Sequence, residues 1–419
     1  MKTKRALIFA LLVILLANCT ATGTPDQTPT LTLEPTYTPT ATITPTPTEI
    51  PFFKYASVWD VTLQVPILIY HKFVPDRMDT NATRMRLSDF RSQLQQLYDA
   101  GFTLISLKDW INGIVDVPDG RKPLILTIDD LWFGDQIYIS DDGNPSEHCG
   151  IGVLWRFSQE HPDFGFHAAL FAIYGDKAYP EKEVGDLFLA GEDDSWYNVS
   201  WHIKLGHTIA WALENGLEVY NHTFQHSPEF VLGGVPMTNR EVEEQLSKND
   251  YWERQFLTQA GREDLIPLLD NIIALPEGKW PLTESGKQVI LDYKNPEGKP
   301  VLAILEAYNM DAAQFTPSAY SDQFDPMHIA RITASEYMTN YIVENKDLVP
   351  TMTSCQLGPM KQEQSADLMI IQSAIQTAIS TQTCHEGIYT VDGNIFIAKA
   401  GQVTLYDATS LNISPTVTP

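Results

Sequence analysis

Two short motifs in the sequence carry side chains that can hold a metal ion. The motif TIDD ends an apolar run with Asp129 and Asp130, and the motif VYNHTFQHSP contains His222 and His226 four positions apart. If the second motif enters a helix, its two imidazoles share one helix face at about 5–6 Å between Cβ atoms. One carboxylate and two imidazoles form a three-ligand set with an open position, as in hydrolytic zinc sites. The second carboxylate stays free to accept a proton.

Each motif alone has a simpler explanation. Two acids at a strand end can cap the following turn, and two histidines four positions apart are common on a solvated helix face. Adjacent strand side chains point to opposite faces, and two buried acids would be costly, so the acid pair is expected where a strand emerges into a polar site. The two motifs together favour a metal-dependent hydrolytic site over these simpler explanations.

The elements that must position these side chains form an alternating pattern. Continuous apolar runs, typical of buried parallel strands, cover residues 65–71, 123–130, 167–175, 217–222, 271–278 and 301–309. Helical patterns lie between them, with Ser88 and Ser200 as expected N-caps and Gly101 and Gly216 as expected stops. Alternating strands and helices predict an α/β fold with a parallel sheet.

Two long polar stretches interrupt this pattern, residues 131–153 and 177–198. Both follow strand ends, and loops at that end of a parallel barrel build the active site. We therefore interpret them as insertions that shape a cleft, although decoration without a function is an equally simple interpretation for any one residue in them.

The motifs resemble those of the polysaccharide deacetylases, the NodB-homology group of the carbohydrate esterase 4 type. TIDD is similar to the family's Thr-Phe-Asp-Asp motif, and HTFQH matches its His-Ser/Thr-x-x-His motif at every defined position. VPILIYHKF resembles the first strand of the poly-N-acetylglucosamine deacetylase subgroup, ALPEGKWP a Pro-Tyr-Gly turn, and DPMHIARI a late Asp-Pro…Arg-Ile stretch. The resemblance covers roughly residues 60–345 and keeps the landmarks in the family's order.

The resemblance implies a distorted (β/α) barrel and a hydrolase that acts on non-peptide C–N bonds, removing N-acetyl groups from a polysaccharide with the help of a metal, usually Zn²⁺. In this chain Asp130, His222 and His226 would bind the ion. Asp129 would be the general base and His71 the general acid that protonates the leaving amine.

The resemblance also assigns the oxyanion contacts and a rival acid. The backbone at Pro276, Glu277 and Gly278 would help to hold the oxyanion, and His328 is the alternative general acid because other branches of the family place theirs late in the chain. The chain departs from the family at Leu131, where Gly usually stands, and at Glu277, where Tyr is usual. These departures bear on substrate choice and leave the metal ligands in place.

The N-terminus predicts export. Three basic residues and the apolar stretch 6–17 form a secretory signal too short to span a bilayer as a mature helix. LLANC resembles a lipobox, with Cys19 as the lipidated residue and Asn18 in place of the usual small residue. We predict a lipoprotein signal peptide at 1–18 and a Thr/Pro-rich tether at 19–52, which place the protein outside the cytoplasm, lipid-anchored to the membrane or secreted.

The C-terminal part has a different pattern. Residues 346–411 predict a small helix-plus-hairpin extension that turns at Asp392-Gly393, followed by a disordered tail at 412–419. Cys355 and Cys384 can form a disulfide in an oxidising compartment, but their spacing does not establish the pairing.

The net charge of −25 disfavours nucleic acid and anionic lipid as partners and is compatible with a neutral sugar polymer. Two alternatives stay open: a non-catalytic carbohydrate-binding lipoprotein of the same fold, and an esterase or amidase that acts on O-acetyl groups or another amide. A base left unligated beside the metal favours an enzyme over a pure binder.

Overall fold

A computed structural model of the 419-residue chain describes residues 52–60, 63–131, 133–175, 199–307, 315–321, 323–360, 364 and 366–406. The predicted signal peptide with Cys19, the tether up to residue 51, the insertion 177–198 and the tail 412–419 lie outside the described residues. Within the described ranges, none of the helices is long and apolar enough to cross a membrane.

Strands and helices alternate through most of the described chain. The strands are β1 (Phe52–Trp59), β2 (Gln64–Val65), β3 (Ile67–Tyr70), β4 (Lys72–Val74), β5 (Arg84–Arg86), β6 (Phe102–Leu104), β7 (Lys122–Ile128), β8 (Ala169–Ala172), β9 (Glu218–Asn221), β10 (Val231–Leu232), β11 (Val235–Pro236), β12 (Ile272–Ala274), β13 (Ala303–Leu305), β14 (Thr316–Pro317), β15 (Ile332–Thr333), β16 (Thr353–Met360), β17 (Gly387–Val391), β18 (Asn394–Lys399) and β19 (Gln402–Tyr406). The helices are α1 (Leu87–Asp99), α2 (Leu107–Ile111), α3 (Gly150–Glu160), α4 (Val199–Glu214), α5 (Asn239–Gln259), α6 (Glu284–Asp292), α7 (Glu336–Glu344) and α8 (Leu368–Ser380).

The main sheet is parallel and has the strand order β13-β12-β9-β8-β7-β3-β15, with β6 beside β7. Its central strand β7 is buried from Pro123 to Ile128, as expected for a strand covered on both faces. A parallel bridge between Leu305 and Ile329 ties β13 to the segment that leads into β15, so the two edges of the curled sheet approach each other. The predicted α/β fold with a barrel-type parallel sheet is therefore confirmed.

The helix boundaries differ slightly from the prediction. Ser88 and Ser200 are the second residues of α1 and α4 and do not occupy the N-cap positions expected of them. Gly101 and Gly216 do follow these helices with positive φ of 91° and 81°, a backbone conformation that glycine adopts without a Cβ clash. Caps are thus less well predicted than stops, since a cap depends on the path of the preceding loop.

A second sheet is antiparallel and has the order β16-β1-β17-β18-β19, with α8 against one face. Helix α8 and the β17–β18 hairpin match the predicted helix and hairpin, and Asp392 and Gly393 at the turn have φ of 48° and 75°. Strand β1 was not predicted, although it pairs with both β16 and β17. Cys355 and Cys384 form a disulfide that ties β16 to the loop between α8 and β17.

Candidate metal centre

The candidate site lies where parallel strands of the main sheet end. Asp129 and Asp130 directly follow β7, and His222 directly follows β9. Because the carboxyl ends of parallel strands meet at one edge of a sheet, residues almost a hundred positions apart in sequence become neighbours there. His226 comes four residues later on the same loop.

The three predicted metal ligands lie close together. Asp130 Oδ1 lies 3.4 Å from His222 Nε2 and 3.5 Å from His226 Nε2. The three candidate ligand atoms all lie within 4.8 Å of one another. Two ligand atoms bound tetrahedrally to zinc at about 2.0–2.1 Å are about 3.3–3.4 Å apart, so the distances from Asp130 fit such an ion.

Asp130 Oδ1 is itself evidence that a cation belongs here. The atom is buried and accepts no hydrogen bond from the described residues. Buried carboxylate oxygens are normally paired, and an unpaired one that faces two imidazole nitrogens is suited to a metal. The donor set of one oxygen and two nitrogens fits zinc or another divalent transition metal.

The inner histidine is oriented by the backbone of the neighbouring strand. His222 is 1% exposed, and its Nδ1 lies 2.8 Å from the carbonyl oxygen of Ala274 at the end of β12. That nitrogen therefore carries a hydrogen and donates a hydrogen bond to the carbonyl oxygen, so Nε2, which faces Asp130, is the nitrogen available to a metal. Metal-binding histidines are commonly fixed in this way by a partner on the other ring nitrogen.

The loop after β9 is not helical, so the two histidines do not meet as positions i and i+4 of one helix face. Thr223 and His226 have φ of 65° and 46°, and Glu229 and Phe230 also have positive φ. These left-handed conformations bring the two imidazole rings to 4.9 Å between centroids without a helix. Non-glycine residues pay a conformational cost of about 1–3 kcal/mol each in such regions, so the surrounding structure must hold the loop.

Helix α5 supplies that support. The side chain of Asn221 accepts a hydrogen bond from the backbone N–H of Thr223 at 2.8 Å and donates to Asp250 Oδ1 at 2.8 Å. Asn249 donates to the same Asn221 oxygen at 3.2 Å, and Tyr293 donates to the other oxygen of Asp250 at 2.7 Å. This buried network anchors the backbone on the N-terminal side of the two histidines.

The second carboxylate is held by an arginine that the sequence analysis did not single out. Arg331 is fully buried and donates to both oxygens of Asp129, at 2.7 and 2.8 Å. Burial alone would raise the pKa of Asp129, but the charge and hydrogen bonds of the Arg331 guanidinium hold that pKa below its usual value. The signal for this pair was an arginine within the otherwise apolar end of DPMHIARI, since a buried charge needs a partner.

His71 directly follows β3, which neighbours β7 in the sheet. It is half-buried, and its strand β3 pairs in parallel with β7, which Asp129 and Asp130 follow. Gln136, from the described part of the predicted insertion 131–153, donates to the carbonyl oxygens of His71 and Asp129 at 2.9 and 2.7 Å. The insertion is therefore bonded to the two strand ends that carry the predicted acid and base.

The predicted oxyanion turn, Pro276–Gly278, follows β12 as a single 3₁₀ turn. Glu277 has a φ of 51°, and its side chain is 56% exposed, with Lys279 Nζ 3.1 Å away. A Cβ at Gly278 would lie 2.1 Å from the backbone nitrogen of Ala307, so only glycine fits at this position. The turn is thus held close to β13 while the Glu277 carboxylate is directed to solvent.

The alternative general acid, His328, is hydrogen-bonded to Glu306, which directly follows β13. Its Nδ1 is 2.9 Å from Glu306 Oε1, and its ring lies against Trp280 at 5.2 Å between centroids. The hydrogen bond to Glu306 raises the pKa of His328.

No protein-family model and no curated protein matches this sequence. Among solved structures, the chain is similar to the Streptococcus pyogenes deacetylase PplD in complex with acetate, at 13% identity, with 68% of this chain and 98% of that chain covered and a TM-score of 0.42. It is also similar to IcaB from Ammonifex degensii, at 14% identity, 67% and 96% coverage and a TM-score of 0.42. A de-N-acetylase from Aggregatibacter actinomycetemcomitans matches at 11% identity, 66% and 99% coverage and a TM-score of 0.40. Identity and TM-score are both low, so a functional assignment depends on the geometry of the site.

Proposed function

We propose that this protein is a metal-dependent hydrolase that removes N-acetyl groups from an extracellular or cell-envelope polysaccharide and releases acetate. The observation that carries the proposal is the convergence of Asp130, His222 and His226 beside a second carboxylate that Arg331 keeps ionised. Zn²⁺ or another divalent transition metal fits the three donors.

The reaction needs a strong nucleophile and a protonated leaving group, because an amide resists hydrolysis and an amine leaves poorly. A bound divalent ion supplies an acidified water and polarises the acetyl carbonyl. Asp129 accepts a proton from the attacking water, and the bidentate contact with Arg331 fixes the orientation of its carboxylate. His71 gives a proton to the nitrogen of the departing amine. The backbone N–H groups of the Pro276–Gly278 turn help to hold the oxyanion.

The Asp129–Arg331 pair favours hydrolysis over binding alone. Burying two charges is costly, and a well-packed apolar pair of similar volume is often as stable. A protein that only bound carbohydrate would gain nothing from an ionised carboxylate held 3.6 Å from the Nε2 atom of His222. A base for proton transfer accounts for it.

The proposal includes an extracytoplasmic location, with lipid attachment at Cys19. The Cys355–Cys384 disulfide supports this, because structural disulfides persist in oxidising compartments. Labelling with a fatty acid in a bacterial host, with Cys19→Ser as the comparison, tests the attachment; label retained by the variant contradicts it.

Acetate release tests the activity. N-acetylglucosamine oligomers and acetylated xylan are incubated with the protein, with the chelator-treated protein and with the chelated protein after Zn²⁺ is restored. We expect release from the oligomers that chelation abolishes and Zn²⁺ restores. Asp129→Asn should bind Zn²⁺ and lose at least about 100-fold in rate, as expected for removal of a general base, while Asp292→Asn, on the exposed end of α6, should not change it.

Three results would contradict the proposal or part of it. Release from xylan but not from the oligomers would identify an O-acetyl esterase instead. Full activity after chelation would remove the metal from the mechanism. Full activity in Asp129→Asn would remove that residue as the base.

A further inference from the structure

Trp280, Glu306 and His328 form a cluster at the same end of the sheet as the metal centre, and we call it the Trp280 ledge. Trp280 lies two residues after the Pro276–Gly278 turn, and Glu306 directly follows β13. Glu306 Oε1 accepts hydrogen bonds from Trp280 Nε1 and from His328 Nδ1, the latter at 2.9 Å. A single buried carboxylate therefore fixes the position of both rings.

The ledge is bonded to the metal centre from two sides. The backbone N–H of Leu282, two residues after Trp280, donates to the carbonyl oxygen of Glu229 at 3.2 Å, and Glu229 lies three residues after His226. On the other side, Arg331 Nε donates to the backbone oxygen of Glu306 at 3.2 Å while its other nitrogens hold Asp129. Hydrogen bonds thus connect the ledge and the segment after it to the loop of His226 and to the Asp129–Arg331 pair.

His328 presents an unused ring nitrogen at the rim of this cluster. Its side chain is 53% exposed, and Nδ1 is occupied by Glu306. Nε2 makes no hydrogen bond with any residue in the part of the chain that the structure describes. The Nδ1 partner, Glu306, does not belong to the set Asp130, His222 and His226 that converges at the metal centre.

We propose that Trp280 and His328 form a subsite for a neighbouring N-acetylhexosamine unit of the same polymer, next to the unit that is deacetylated. The half-buried indole offers apolar surface to the C–H face of a sugar ring. His328 Nε2 is placed to exchange a hydrogen bond with a hydroxyl or amide group of that unit. This inference rests on the proposed function, since it names how the same cleft selects a polymer.

The charges around the ledge favour a neutral occupant. Glu277 and Glu229 are 56% and 45% exposed at their side chains, both lie within 4 Å of Lys279 Nζ, and Asp325 is exposed as well. These carboxylates disfavour an anionic sugar, and the net charge of −25 acts in the same direction. A polymer of N-acetylated amino sugars without acidic groups meets this requirement.

Two substitutions distinguish contact of the ledge with the sugar from a purely structural role of these residues. In His328→Asn the shorter amide keeps a donor near Glu306 and removes the group at Nε2, and in Trp280→Leu the aromatic face is removed. For each variant we expect KM for the N-acetylglucosamine hexasaccharide to rise roughly 3- to 10-fold with kcat unchanged, as for loss of one ground-state contact. Hydrolysis of p-nitrophenyl acetate, which has no sugar to place on the ledge, should not change.

His148→Asn is the matched control, because His148 is 68% exposed and its ion-pair partner is its neighbour Glu147. An unchanged KM in both ledge variants would overturn the subsite. A fall in kcat with loss of the alkaline limb of the pH–rate profile in His328→Asn would overturn it too, and would make His328 the general acid.

Binding of the hexasaccharide to the chelator-treated protein, measured by calorimetry, separates this inference from the proposed function. If the wild type releases no acetate but binds the hexasaccharide, and the ledge variants bind it roughly 3- to 10-fold more weakly, the proposed function fails and the subsite stands. No binding by the wild type, or equal binding by wild type and variants, overturns the subsite whatever the activity.

Discussion

The carboxyl end of the parallel main sheet, which carries the metal centre and which we call the mouth, differs from the five-stranded antiparallel sheet in the kind of side chain that it buries. The mouth buries ionised and polar groups, among them Asp129, Arg331 and His222, and it contains several non-glycine residues with positive φ. The five-stranded sheet buries apolar side chains of α8, β17 and β18, such as Ile375 and Phe396, and is tied by a disulfide. Groups in the mouth cost stability and are suited to chemistry, whereas groups in the sheet contribute stability.

The difference implies that substitutions should separate into two classes. A substitution in the mouth should weaken metal binding or catalysis and have little effect on the free energy of unfolding, unless it leaves a buried charge without its partner. A change in the five-stranded sheet should lower stability and leave the chemistry intact. Substitutions of His226, of Arg331 and of the two disulfide cysteines test whether the two classes are distinct.

The largest effect is expected on removal of a ligand on the solvent side of the metal centre. His226 is 27% exposed at its side chain, so His226→Ala leaves little unfilled space. Loss of a residue that only hydrogen-bonds to a metal ligand lowers metal affinity roughly 10- to 100-fold, so loss of the ligand His226 itself should lower Zn²⁺ affinity by more than that. Acetate release should fall to the rate of the chelator-treated protein. Calorimetric titration measures the affinity, and urea unfolding of the metal-free variant should remain close to wild type. His148→Ala is the control, and tight Zn²⁺ binding by His226→Ala would remove this residue from the ligand set.

The exception to the separation is Arg331, because it neutralises a buried charge. Arg331→Met leaves Asp129 without its partner and should destabilise the metal-free protein by about 3–5 kcal/mol. Adding Asp129→Asn removes the orphaned charge, so the double variant should recover much of that loss. Urea unfolding of the wild type, both single variants and the double variant gives the coupling energy. Additive losses would show that the two side chains do not form a stabilising pair.

The disulfide offers the opposite case. Cys355 and Cys384 are 29 residues apart, and closing a loop of that length stabilises by about 3–4 kcal/mol in the chain-entropy model. The double variant Cys355→Ala, Cys384→Ala should lose about that much while Zn²⁺ affinity and kcat/KM stay at wild-type values. A matched loss of catalysis would show that the five-stranded sheet takes part in the chemistry.

The same contrast explains which features the sequence could predict. The parallel strands can be predicted because each contains a continuous apolar run. The metal-site residues Asp129, Asp130, His222 and His226 can be predicted because they end or follow two of these runs, and the ends of parallel strands meet at one edge of a sheet. The hairpin at Asp392-Gly393 is readable for a similarly local reason, since both residues tolerate positive φ.

Features that depend on distant partners were missed. Strand β1 pairs with strands about three hundred residues later, and no local pattern encodes that register. The conformation of the loop after β9 stayed open, because spacing alone does not reveal that Asn221 and the α5 side chains hold a left-handed backbone. Arg331 was overlooked because its partner lies 202 positions away.

The smallest effect concerns the pH dependence of stability. Glu253, on α5, is 4% exposed and accepts a hydrogen bond from Tyr174 at 3.2 Å. Burial raises the pKa of Glu253 to about 8, although Arg254 opposes the shift. A carboxyl group with a raised pKa in the folded state holds its proton more tightly when folded. Its contribution is therefore fully present below its unfolded pKa of about 4.5 and is lost as the pH rises towards 8.

Glu253→Gln removes this titration while its amide oxygen can still accept from Tyr174, so the variant should gain melting temperature relative to wild type between pH 6 and pH 9. The variant should remove only part of the loss of stability that the wild type shows as the pH rises. Burial also raises the pKa of Asp135 to about 8, and loss of the Asp135 proton lowers stability over the same pH range. Glu244→Gln on the same helix is the control: hydrogen bonds from Lys248 and Arg240 lower the pKa of Glu244, so its contribution is lost only as the pH falls. If Glu253→Gln and wild type melt in parallel over this range, Glu253 is ionised throughout. The burial of Glu253 beside Tyr174 would then cost less stability than its 4% exposure implies.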